Sequence, residues 1–509
     1  MAVDTPRGDP LKGASREDRE IVRLARGASF SVVCSLIAQA ALVATSIVLT
    51  QFLARSDVGL YAQAHAISAI GSLIGLVGMR SALTRFVAMY RVDSNLAAVH
   101  GTIRLGISTA ALVGAGLGVV VFVSAEWLAI SVFDDAALLT PIRWAAAILP
   151  GSTLLVAATS ATQGYRNVRP FNVVRRLIEP GVKLGAILVV LSVGGSINAA
   201  MAASAATTWL AALIALVWLR KIAGPAPARI SYNSGPILRF AFVSWGAAFA
   251  AQGLLWADIL MVGWLLPSED VALYQIASRV ALLAALSIAP INAVLAPRVA
   301  NLFRNNKTSE ASSVYQVAAA WTLRLTLPAA VAIIVVPTSI LSVFGSEYIA
   351  AVTALWLLVP GQLFNASTGT TATILNMAGE NVSTLIGNTG SLAINLGLNA
   401  ALIPVMGIEG AAVAWSASLI IVNLYRAVMV RRRVVAVWPW SEATTSAGVA
   451  AVISGVAGYG LHQLVLDGSA RVWTLLPIGL IIVVVYIAVL AVWGLTDADR
   501  LLLAKFNPR

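Results

Sequence analysis

From Val472 to Gly494 the chain runs on without one charged side chain. A stretch of that length and polarity crosses the hydrocarbon core of a bilayer as a single helix. It is the last of a series. Comparable runs lie at about 28–53, 58–79, 103–125, 138–161, 173–194 and 197–219, then at about 237–264, 271–294, 318–341, 349–375, 383–404, 408–430 and 443–464. The expectation is an all-α integral membrane protein of about 14 transmembrane helices. Composition agrees: 59% of the 509 residues are hydrophobic and 11% are charged, where a soluble domain carries about a quarter charged.

The net charge of +12 does not point to nucleic acid, because the charges sit in short clusters between apolar runs. Loops bearing Arg80, Arg85 and Arg91, then Arg166 and Arg169, then Arg220 and Lys221, then Arg298 and Arg304, then Arg431, Arg432 and Arg433 should share the cytoplasmic side. Loops bearing Asp134, Asp135, Glu269, Asp270, Glu347 and Glu409 alternate with them. With an even number of spans, both termini are expected in the cytoplasm, as a tail over 1–26 and a tail over 495–509. No cleavable signal peptide is read at the start. One cysteine, Cys34, allows no internal disulfide, and the three scattered histidines suggest no metal site. No phosphate-binding loop of the Walker type occurs. No cofactor and no catalytic residue is expected, and no loop is long enough for a catalytic domain.

The chain also repeats itself. "FLARSDVGLYAQ" begins at Phe52, and "LLPSEDVALYQIA" begins at Leu265, so that Asp57 and Tyr61 recur 213 positions later as Asp270 and Tyr274. "TRFVAMY" from Thr84 meets "PRVANLF" from Pro297, "TIRLGI" from Thr102 meets "TLRLTL" from Thr322, and "ILPG" at 148–151 meets "LVPG" at 358–361. Ordered matches across six spans indicate a duplicated unit. Two pseudo-symmetric six-helix lobes are expected, over 27–222 and 237–433, with two C-terminal helices over 443–494 outside the repeat. An even number of helices per lobe makes the lobes parallel, related by an axis along the membrane normal.

These residues carry a family resemblance. "FLARSDVGLYAQAHAISAIGSLIGLVGMRSALTRFVA" (52–88) resembles the opening of bacterial polysaccharide biosynthesis proteins, the Wzx-type lipid-linked oligosaccharide flippases. "GIEGAAVAWSASLIIV" (407–422) resembles their twelfth span. They belong to the MOP superfamily with MATE exporters and MurJ lipid II flippases. The resemblance implies a central cavity that carries a polyprenyl-pyrophosphate-linked oligosaccharide from the cytoplasmic to the outer leaflet of the bacterial inner membrane. It implies membrane lipids as partners, with polysaccharide polymerase and chain-length machinery as further ones. A lipid II flippase and a cation-coupled MATE-type antiporter stay open as alternatives.

Charges inside spans cost insertion energy and need a partner or water, so they are the candidate site residues. Asp258 and Arg279 fall at similar depth in the seventh and eighth spans, and adjacent antiparallel helices can place them face to face. They form either a structural ion pair or part of the cavity, where Arg279 grips phosphate oxygens. His65 lies close to the repeat position of Arg279. Arg26 and Arg85 are further cavity candidates, or else interface anchors. Glu179 and Lys183, spaced i, i+4 around Pro180, form with Arg175 and Arg176 a candidate cytoplasmic entrance. "GSLIG" at 71–75 and "GAGLG" at 114–118 predict close helix packing.

Overall fold

The computed structural model describes residues 16–466 and 472–494, with side chains from Phe30 onward except at 247, 465–466 and 494. Of the expected tail over 1–26, residues 1–15 lie outside the described residues, as do the tail over 495–509 and the side chain of Arg26, while 16–26 open the first helix. No strand occurs among the described residues. The helices are α1 (Arg16–Phe52), α2 (Arg55–Gly75), α3 (Met79–Val92), α4 (Leu96–Val123), α5 (Ala125–Trp127), α6 (Leu139–Gly164), α7 (Glu179–Ser192) and α8 (Ile197–Ala223). There follow α9 (Ser234–Leu265), α10 (Ser268–Ala284), α11 (Ile288–Arg304), α12 (Thr308–Val335), α13 (Pro337–Ser342), α14 (Val352–Thr368), α15 (Thr371–Met377), α16 (Asn381–Met406) and α17 (Ile408–Arg433). The last two are α18 (Glu442–Leu466) and α19 (Leu475–Val489).

Twelve described helices are long and apolar enough to cross a membrane, and the α10–α11 pair, bent by 46°, raises the number to 13. The protein is thus a multi-pass membrane protein, but the count of 14 is not reached. The difference is the segment expected as the fifth span. It is a π-helical stretch, Phe171–Ile178, running into α7 of 14 residues. Four charged side chains (Arg175, Arg176, Glu179 and Lys183) sit within it, which makes it the most polar of the expected crossings.

The duplication is legible element by element. α2 breaks into α3 at Leu76–Gly78, where Val77 and Gly78 have φ of 43° and 72°, and α10 breaks into α11 at the corresponding place. α4 and α12 each have 28 residues. α6 holds Pro150 and α14 holds Pro360, each after a leading 3₁₀ turn. A proline inside a helix removes one backbone hydrogen bond, and it does so at matching places in the two copies.

The apolar core shows how the halves meet. At the end of the bundle that carries the acidic turns, one continuous cluster joins Val58 and Tyr61 of α2 and Ile142 of α6 to Leu273 and Ile276 of α10 and Leu355 of α14. Toward the basic end the core divides. Leu83, Phe86, Val99 and Leu155 form one cluster, which the start of α9 joins through Ile237 and Ala241. Leu295, Val299, Tyr315 and Val430 form another. The halves therefore share one core at the acidic end, while at the basic end there are two clusters and the start of α9 still packs on the first half. α18 and α19 pack on α12 through Ala447, Ala450, Ile478 and Ile482 against Leu327 and Val331.

Small residues set the closest approaches. A Cβ at Gly59 would lie 1.7 Å from the carbonyl oxygen of Ser268, which makes Gly59 the point where α2 touches the start of α10. A Cβ at Gly114 would lie 2.3 Å from Thr153 Oγ1 and one at Gly71 would lie 2.6 Å from Leu149, so both small-residue runs pack as expected. With no hydrophobic drive between helices in lipid, such close van der Waals contact is a main source of association.

Candidate functional site

Arg279 occupies the last turns of α10, before the break. Its Nη1 donates to the Leu42 carbonyl of α1 at 3.1 Å. The expected pairing with Asp258 is not formed. Asp258 is 2% exposed, and its carboxylate accepts from Tyr274 Oη at 2.9 Å and from Asn399 Nδ2 at 2.6 Å. Helix geometry explains the difference. Tyr274 and Arg279 are five residues apart, about 140° around α10. The face that reaches α9 carries the tyrosine, and the arginine points toward α1. Asn399 also donates to Asn395 at 3.1 Å, so Asp258 sits in a polar nest of α9, α10 and α16.

The repeat partner of Asp258 is Thr45, whose hydroxyl turns back to the Ala41 carbonyl at 2.8 Å. The partner of Tyr274 is Tyr61, which instead shares a 3.0 Å hydrogen bond with Ser204 of α8. The scaffold is repeated while the polar chemistry diverges.

Around Tyr61 the structure gathers a group that sequence reasoning had scattered. His65 stacks on Tyr61 with ring centroids 6.1 Å apart and meets Trp256 of α9 edge-on at 5.5 Å. Its Nδ1 is buried and has no hydrogen-bond partner. Lys183 and Arg279 both act electrostatically on His65, and both act on Tyr61. Lys183 pairs with Glu179 at 3.3 Å, with both side chains largely buried. Arg175, one turn earlier, lies in the field of Glu179, Arg176 and Arg80. Basic side chains thus run from mid-depth toward the basic end, with Glu179 among them. Among the described residues neither Arg279 nor Arg175 forms an ion pair with a carboxylate.

Two candidates stand apart from this group. Arg176 donates to the Ser31 carbonyl and hydroxyl at 2.8 and 2.9 Å and to Asn172 at 3.2 Å, tying α1 to the segment before α7. Arg85 is exposed and stacks over Phe240 of α9, 4.5 Å from the ring centroid. Tyr61 and Tyr274 were read only as repeat markers and Arg80 only as a topology charge, and Trp256 and the asparagines were not singled out from the sequence. Asn395 and Asn399, at i, i+4 in an apolar span, carry a signal that was available: two amides on one face need partners.

Because Asp258 and Arg279 have separate partners, Asp258→Asn and Arg279→Ala should act independently. A double-variant cycle on unfolding or transport is expected to be additive to within about 0.5 kcal/mol. A larger coupling would mean that the two groups meet in another conformation.

The family model described as "Polysaccharide biosynthesis protein" matches residues 24–303, more than half of the chain. The chain belongs to the polysaccharide biosynthesis protein family. A second family model, MatE, matches residues 246–401. No curated protein matches the chain. Among solved structures, the lipid II flippase MurJ in an inward closed conformation aligns with a TM-score of 0.70 at 15% identity, covering 93% of this chain and 98% of that one. An inward-facing multidrug resistance MATE family transporter of the MOP superfamily aligns at 0.66 and 14% identity, over 80% of this chain and 98% of that one. A MOP superfamily transporter from Pyrococcus furiosus aligns at 0.60 and 13% identity, over 81% and 95%. At such identities the likeness concerns the fold alone. This polysaccharide biosynthesis family member thus shares its fold with a flippase and with transporters.

Proposed function

We propose that the protein flips a polyprenyl-pyrophosphate-linked oligosaccharide from the cytoplasmic to the outer leaflet of the bacterial inner membrane, for surface polysaccharide assembly. Residues 27–222 and 237–433 act as the two lobes, and the basic end with both termini faces the cytoplasm. The observation that supports this reading is the set of basic groups near the Tyr61–His65–Trp256 rings. Arg279 and Lys183 are close enough to His65 to act on it electrostatically, and Arg175 and Arg80 lie toward the basic end. A pyrophosphate needs dispersed positive charge and directed donors, and a guanidinium supplies both. The saccharide presents C–H faces that suit aromatic rings. The lipid tail stays in the bilayer, beside the surface that α18 and α19 add. The protein performs no covalent chemistry in this scheme.

Reconstitution tests it. Proteoliposomes holding a fluorescent polyprenyl-pyrophosphate glycan should show protein-dependent exposure of the glycan to an added glycosidase or lectin. Preference for lipid II over other lipid-linked glycans would move the assignment to peptidoglycan. One observation favours a cation-coupled antiporter instead: the buried Asp258 carboxylate has two neutral donors and no cation among its hydrogen-bond partners. On that reading Asp258→Asn abolishes ion-dependent export of small molecules by cells and leaves lipid-linked glycans irrelevant.

A further inference from the structure

Near the acidic end, α4 and α6 leave an open apolar groove of about 580 Å³ between them. Ala115, Gly118 and Phe122 line it from α4, and Arg143, Ala147 and Pro150 line it from α6. In each helix the three share one face, at i, i+3 or i+4, and i+7. The helices run antiparallel, since Gly114 meets Thr153, Gly118 meets Ala146 and Phe122 meets Arg143. Phe122 and Arg143 therefore stand at the mouth of the groove, and Ala115 and Pro150 at its deep end, about 10 Å away at the helical rise. Small side chains make the groove. A Cβ at Gly118 would lie 2.9 Å from the Ala146 carbonyl oxygen, so the two helices touch at the floor. Ala115 and Ala147 are too short to close the space above. Val119 and Phe122 on the same face of α4 are more than half exposed, and in a multi-pass membrane protein such a face meets lipid.

A separate observation says what fills the groove. Arg143 is exposed at its mouth, with the guanidinium 5.5 Å from the centroid of the Phe122 ring. It makes no ion pair among the described residues. The preceding carboxylates, Asp134 and Asp135, line a different cavity, between the starts of α2 and α10, and Asp135 caps the Ala137 amide at 3.0 Å. Arg143 lies four residues inside the start of α6, about 6 Å in from the end of the helix. An arginine at that level lays its stem on apolar surface and keeps its head among the lipid headgroups. The anion found there is phosphate, which the guanidinium fork matches.

We propose that this groove binds one glycerophospholipid of the leaflet at the acidic end, with its phosphate on Arg143 and an acyl chain lying between α4 and α6 toward Pro150. The cationic mouth and the apolar trough match the two parts of such a lipid in the order in which the lipid presents them. Another apolar helix would fill the trough and leave the guanidinium without an anion. Bound lipid holds α4 to α6 and so stabilises the first half. A polyprenyl carrier shares the phosphate chemistry, and the experiment separates the two. The inference does not depend on the transported substrate.

The test uses the full-length protein in detergent, titrated with phosphatidylglycerol and followed by native mass spectrometry and by thermal unfolding. The parent should retain one lipid more than Arg143→Gln, and phosphatidylglycerol should raise its Tm saturably. Arg143→Gln should raise the half-saturating concentration about 10-fold, the loss expected for a hydrogen bond to a charged group. Arg143→Lys should raise it less, because a point charge still attracts phosphate. Ala115→Leu with Ala147→Leu should fill the trough and remove the same lipid, with a lipid-free Tm no lower than the parent's. Equal retention by the parent, Arg143→Gln and the filled variant would mean an unspecific lipid belt and overturn the proposal, as would a Tm that phosphatidylglycerol does not raise. Displacement by undecaprenyl phosphate would overturn it too, by assigning the groove to a carrier lipid.

Discussion

Replacing Arg279 with alanine is expected to cut transport of a lipid-linked glycan at limiting substrate by about 10-fold to 100-fold, with membrane insertion unchanged. The size follows from the bond removed, since a hydrogen bond to a charged group is worth about 1.5–3 kcal/mol and a guanidinium can make two. In the structure the side chain spends one donor on the Leu42 carbonyl of α1 and pairs with no carboxylate among the described residues. Its loss should therefore cost little stability. Arg279→Lys separates charge from geometry: a point charge restores attraction to phosphate without the planar fork, so partial rescue is expected. Transport and protein level in the membrane, measured together, check this. Full transport by Arg279→Ala would remove the arginine from the substrate path.

The second large effect is expected at Gly59. With a Cβ only 1.7 Å from the Ser268 carbonyl oxygen and a working minimum of 3.0 Å, Gly59→Ala must move α2 and the start of α10 apart by roughly 1.3 Å. Packed interfaces do not stretch continuously, so the population should shift toward states in which this end is open. Gly59→Val should shift it further. A cysteine placed at Ser56 in a Cys34→Ser background reports the change as faster reaction with a membrane-impermeant thiol reagent. Unchanged labelling would show that the contact yields locally and does not gate the acidic end. Glycine at this position is dictated by a contact made only after the two halves meet.

Much of the architecture was legible in the chain. Apolar runs identified nearly every crossing, because a membrane helix must satisfy its own backbone and face lipid. The repeat was legible from Asp57–Tyr61 and Asp270–Tyr274, and the matching breaks after α2 and α10 agree with it. The run at about 173–194 was read as a span whose four charges form a candidate entrance, and its π-helical start over Phe171–Ile178 was not legible. Hydropathy alone averages over charges that pair internally, as Glu179 and Lys183 do.

The candidate site was only partly legible. Charge inside an apolar run marked Asp258, Arg279, Glu179 and Lys183, since each is costly there. Their partners could not be read the same way. Equal depth suggested that Asp258 faces Arg279, yet depth is set by counting residues from a turn, while facing is set by rotation about the helix axis and by which neighbour packs there.

What the sequence by itself determined is the class, most of the crossings and the repeat: each follows from local composition and from spacing along one chain. Only the tertiary structure decided the company each polar group keeps. Asp258 belongs with Tyr274 and Asn399, and Arg279 with α1 near His65 and Lys183, because helices far apart in sequence bring those faces together and each rotation is chosen by packing against several neighbours at once.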